Sequence, residues 1–119
     1  MKKLFALGAV ALLVGCAEKA PLTPEKQWQG YCKSVGNAAR TILLDRQNGI
    51  EQQAAVDYAE KLEDPTTKKF ILEIIQEVYQ LPAAEINQEP DVKREKIRAQ
   101  VTERCQNTPF DEIPEYKPF

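Results

Sequence analysis

Between Trp28 and Leu43 the apolar residues Trp28, Tyr31, Cys32, Val35, Ala38, Ala39, Ile42 and Leu43 recur three and four apart, the spacing that lines one face of an α-helix. Thr23 offers an N-cap oxygen, Pro24 suits the first helical position, and Glu25 complements the positive end of the helix dipole. Asn48-Gly49 is a C-terminal cap signal, so the pattern predicts a helix over 24–47. A weaker stripe of Ala54, Ala55, Tyr58 and Leu62 predicts a second amphipathic helix within 51–62. Asp64-Pro65 restarts the chain as cap and first residue. The run from Phe70 to Leu81 is apolar over so wide an arc that it predicts the central helix. Pro82 and Pro90 bracket one or two helical turns, and Ile97, Val101 and Cys105 fall in register on a last helix over 91–106.

No alternating strand pattern, glycine-rich hairpin signal or internal repeat interrupts this series. The expected fold is therefore all-α: a small bundle of about four helices spanning 24–107, with short connections. Residues 108–119 form an extended, Pro-rich C-terminal tail, because prolines at 109, 114 and 118 forbid a regular helix there. Its apolar residues Phe110, Ile113, Tyr116 and Phe119 recur every three positions, the period of a polyproline-II helix, and so share one edge. That edge has three readings: it lies back on the bundle as a strap, it docks in a groove on another protein, or the tail is simply disordered.

At the other end, Lys2 and Lys3 precede an uncharged run from Leu4 to Val14 that is too short to span a bilayer, which reads as an export signal over 1–15. The four residues that follow the run's core, Leu13-Val14-Gly15-Cys16, resemble the lipobox of bacterial lipoproteins. The resemblance implies diacylglycerol transfer to the Cys16 thiol, cleavage before Cys16, and acylation of the freed amine. Acyl chains contribute about 0.8 kcal/mol per buried CH₂, so several of them hold a protein firmly on a bilayer. In the sorting pattern of such lipoproteins an Asp after the cysteine retains the protein in the inner membrane. Ala17 stands there instead, which implies the outer membrane, with the domain facing the periplasm. Residues 16–23 then form a lipidated tether. Its seven residues beyond Cys16 reach no more than roughly 23 Å at about 3.3 Å each, which keeps the folded part close to the headgroups.

With Cys16 carrying lipid, Cys32 and Cys105 are left in an oxidising compartment with only each other, and each lies on the inward stripe of its helix. A disulfide between them would tie the first helix to the last. The chain carries 16 Lys and Arg against 18 Asp and Glu. Loss of Lys2 and Lys3 with the signal leaves 14 against 18, a net charge of −4. That acidic balance, without a basic block, argues against nucleic acid as a partner.

Catalytic chemistry finds little material. The chain contains no histidine, the commonest general base and metal ligand. Ser34 is the only serine, and its neighbour Lys33 points in a different direction on a helix. Glu73 and Glu77 share a helix face and, with Glu60, Glu63 and Asp64, could serve a carboxylate-only hydrolase; acids at helical spacing are more commonly a solvated surface. No loop offers the alternating oxygen ligands of a calcium site. The run Lys93-Arg94-Glu95-Lys96-Ile97-Arg98 reads as a solvated helix face more readily than as a headgroup patch, because its cations are interleaved with Glu95 and preceded by Glu89 and Asp91. Arg40, Asp45 and Arg46 read as surface and dipole partners of the first helix. Trp28 and Tyr31 read as core anchors.

No catalytic residue, metal site or cofactor is therefore expected. A signal, two widely spaced cysteines and a helical body also look like several small periplasmic groups: acid-stress chaperones, immunity lipoproteins against cell-wall toxins, and plasmid exclusion lipoproteins. The expectation is a non-enzymatic, membrane-anchored module that binds a protein partner or maintains the envelope. The alternative is a self-protection lipoprotein that occludes an incoming effector or a mating apparatus.

Overall fold

The computed structural model describes residues 23–109 and Tyr116. Among them are five helices and no strand: α1 (Pro24–Gln47), α2 (Gln52–Glu60), α3 (Pro65–Gln80), α4 (Ala83–Ile86) and α5 (Pro90–Gln106). The all-α expectation holds, and the bracketed segment between the prolines is the single turn of α4. Cys16 and the export signal lie outside the described residues.

α1 and α3 begin where their chemistry says they should. Thr23 Oγ1 accepts from the Lys26 N–H at 3.1 Å, and Asp64 Oδ2 accepts from the Thr67 N–H at 2.9 Å, with a proline following each cap. α1 ends in a nested pair of bonds, Gly49 N–H to Arg46 O and Ile50 N–H to Asp45 O. That reversal requires the positive φ of 90° that Gly49 adopts. α5 starts less comfortably, since Glu89 holds a left-handed φ of 48° and caps nothing with its side chain. Gln47 steadies this corner by donating from Nε2 to the carbonyls of Ile86 and Pro90, while its Oε1 accepts from Arg94 at 2.6 Å.

The principal packing is α1 against α5, which run antiparallel. The seam can be followed from end to end. Trp28 Nε1 donates to Cys105 O at 3.2 Å, Cys32 is disulfide-bonded to Cys105 with a Cα–Cα distance of 5.4 Å, Gly36 faces Thr102, and Arg40 pairs with Glu95 at 2.7 Å. The expected brace between the first and last helices is thus present, and both sulfurs are buried. α3 lies parallel to α1: the Tyr31 hydroxyl meets Thr67 Oγ1 at 2.8 Å near their starts, and Arg46 Nη1 donates to Val78 O at 2.5 Å near their ends. Ile74, Ile75 and Val78 of α3 are fully enclosed, as a central helix requires.

Arg46 departs from the surface role expected of it. It is half-buried, satisfies a terminal carbonyl of α3, and lies 5.5 Å from the centre of the Tyr79 ring. On α5, exposed Glu95 accepts from both Arg40 and Arg98, while Arg94 bonds Asp91 and Gln47 with only 13% of its side chain exposed. Glu95 and Lys96 are exposed, as expected of a solvated helix face, whereas Arg94 is largely covered; both Arg94 and Arg98 are paired within the chain. No helix of the described residues is long and apolar enough to cross a membrane.

Candidate binding surfaces

α2 provides the most conspicuous open surface. It leaves the end of α1 at Ile50, whose carbonyl accepts from the Tyr79 hydroxyl at 2.7 Å, and runs back antiparallel to α1 towards the start of α3. It packs chiefly on α3, through buried Ala59 and half-buried Val56, and stands away from α1. Between α1 and α2 lies an open groove of about 550 Å³. Ile42, Ile71 and Ile75 form its floor. Ser34, Asn37, Thr41 and Asp45 form a polar rim on α1, and Ala54, Ala55, Tyr58 and Leu62 form an apolar wall on α2.

The stripe of Ala54, Ala55, Tyr58 and Leu62 therefore shares one face, as its spacing predicts, but that face lines the groove instead of the closed core. Tyr58 is 70% exposed, and Ile50 at the groove's lower end is 43% exposed. Two of the large exposed apolar side chains among the described residues are thus found at one concave site. Asp45 is the one charged residue among those lining the groove.

The aromatic cluster belongs to the core, as expected of Trp28 and Tyr31, each only 2% exposed. Trp28 and Tyr31 stack with ring centroids 5.1 Å apart, Phe70 closes one side, and Tyr116 of the tail sits on the other at 5.0 Å from Trp28 and 4.7 Å from Tyr31. Tyr116 is half-buried there. Its three companions on the tail edge, Phe110, Ile113 and Phe119, lie outside the described residues. Replacing Tyr116 with Ala should lower stability by about 1–2 kcal/mol, since it removes two aromatic contacts and uncovers a buried pair. A thermal melt of the variant checks this, and an unchanged midpoint would mean that Tyr116 merely rests on the surface.

The Tyr31 hydroxyl has a defined direction. Thr67 Oγ1 donates its single proton to Asp64 Oδ2 at 2.7 Å, so the Tyr31 hydroxyl donates to Thr67. Burial pushes the Tyr31 phenol above its ordinary value of 10.0, the hydrogen bond to Thr67 opposes that, and nearby Asp64 adds to it. Because the folded state holds this proton more tightly than the unfolded state, its contribution is complete below pH 10.0 and is lost as pH rises through the folded value. Urea midpoints should fall as pH rises above 10.0, and Tyr31→Phe should flatten that fall while costing about 1 kcal/mol at neutral pH.

Glu77 is paired with Arg104 at 2.7 Å, and Glu73 acts on the same guanidinium only at longer range. No group of three or more metal-ligating side chains occurs among the described residues. Comparison with protein-family models, curated proteins and solved structures finds no match to this chain.

Proposed function

We propose that this protein is an outer-membrane lipoprotein, anchored through acylated Cys16, whose helical domain faces the periplasm and binds protein without catalysing a reaction. The observation that carries the anchor is the Leu13-Val14-Gly15-Cys16 box, placed directly behind a basic start and an apolar run. A short tether then restricts the domain to partners at, or brought to, the bilayer surface. The α1–α2 groove supports the binding role, since it joins a concave apolar floor to a polar rim and carries exposed Tyr58 and Ile50.

Metabolic labelling of the full chain with a palmitate analogue tests the anchor. Wild type should take up label and sediment with outer membranes, whereas Cys16→Ser should lose the label and the membrane fraction together. Absence of label in wild type would overturn the anchored reading. Photo-crosslinking from the groove in intact cells tests the binding role, with a protein adduct expected.

A further inference from the structure

The groove face of α2 has a property that a surface built for an unrelated partner does not need: it complements itself when reversed. Consider a second α2 laid antiparallel across the first, with a two-fold axis passing between the levels of Ala54 and Tyr58. Within α2 each residue then meets the one whose number brings their sum to about 112, and the flanking residues 50–51 and 61–62 are brought towards each other. Tyr58, the most prominent knob on the face, meets the partner copy's Ala54, one of the two alanines on it. Leu62 and Ile50, which lie just beyond the two caps of α2, are brought towards each other, and both line the groove. Lys61 meets Glu51, opposite in sign, and neither makes an ion pair within the described residues. The same reversal brings the partner copy's Lys61 to the end of the groove where Asp45 lies.

Size, apolarity and charge thus agree under one operation, which is the requirement of an isologous interface. We infer that the occupant of the α1–α2 groove is a second copy of this chain, with α2 of each copy lying antiparallel on α2 of the other.

This inference rests on the protein-binding reading of the groove and names the partner. It is also compatible with the proposed anchor. A two-fold axis along the membrane normal leaves the two Thr23 residues at equal height, so both short tethers reach one bilayer. A homodimer held at a surface further gains from a high local concentration, which favours so small an interface.

The experiment places a photo-crosslinking phenylalanine derivative at position 58 of the full chain in intact cells. Irradiation should give a species of twice the chain's mass, with the adduct mapping to residues 50–55 of the second copy. Lys61→Glu and Glu51→Lys should each reduce its yield by about tenfold, because two opposite-charge contacts become two like-charge contacts. The double reversal should restore it. A dimer indifferent to these reversals overturns the α2 pairing. An adduct to a different protein overturns the second copy as occupant and leaves the protein-binding reading standing. No adduct from positions 54, 58 or 62, with the chain still on the membrane, overturns both.

Discussion

Removing the Cys32–Cys105 bond should cost about 4 kcal/mol of unfolding free energy, on chain-entropy grounds, because the two residues are separated by 73 positions and the loop they close contains α2, α3 and α4 entire. Domains of this size are stable by only about 5–15 kcal/mol, so the loss is a large share of the total. The bond also lies at a place where little else can replace it. Cys105 is one residue from the end of α5, its carbonyl accepts from the Trp28 indole, and its sulfur is the covalent link from the end of α5 to the buried stripe of α1. Both sulfurs are buried, so a reductant reaches them mainly through an opened state. The double variant Cys32→Ala/Cys105→Ala is therefore the cleaner measurement. Its urea or thermal midpoint should fall well below that of the oxidised wild type, and added reductant should leave it unchanged. A midpoint within about 0.5 kcal/mol of wild type would show that the helices hold each other without the bridge.

α1 was legible to its terminal residues because both of its ends are written in local chemistry: a threonine cap with proline and glutamate behind it, and Asn48-Gly49 after it. The brace could be read because the resemblance of Leu13-Val14-Gly15-Cys16 to a lipobox sets Cys16 aside and leaves Cys32 and Cys105 as the expected pair. Other features depend on distances that no spacing along the chain encodes. Arg46 and Gln47 look like ordinary polar residues in a last turn, yet they bind carbonyls of α3 and of the α4–α5 corner. The α2 stripe announced an apolar face correctly, but whether such a face is covered depends on how far α2 stands from α1. Ala59, the residue α2 does bury, is too small to have marked the other side. At the tail the period of three indicated a common edge, and Tyr116 supplies one point of contact with the bundle. Gly36 gave no signal at all, since a glycine within a helix ordinarily reads as a weak point.

Gly36 is nevertheless the position where a single methyl group should do most harm. It is buried in the α1–α5 seam, between the disulfide and the Arg40–Glu95 pair. A Cβ there would lie 1.8 Å from Thr102 Oγ1 and 2.8 Å from the backbone carbonyl of Arg98. The first clash could be relieved by turning Thr102, but the second is with backbone and can be relieved only by moving α5 outward. The disulfide resists that movement one turn away. Gly36→Ala should therefore destabilise by about 2 kcal/mol even after its gain in helix propensity, and Gly36→Val by about 3 kcal/mol or more. Gly30, in the same helix, provides the opposing control. A Cβ at Gly30 meets nothing within 4 Å, so Gly30→Ala should stabilise by up to about 1 kcal/mol. Identical chemistry, six positions apart, should thus shift the melting temperature in opposite directions. Combining Gly36→Ala with Thr102→Ala should recover part of the loss, because the side-chain clash disappears while the contact with the Arg98 carbonyl remains. Full recovery would mean that the helices are separated by Thr102 alone, and a neutral Gly36→Ala would mean that α1 and α5 are not in the close approach from which the rest of the seam follows.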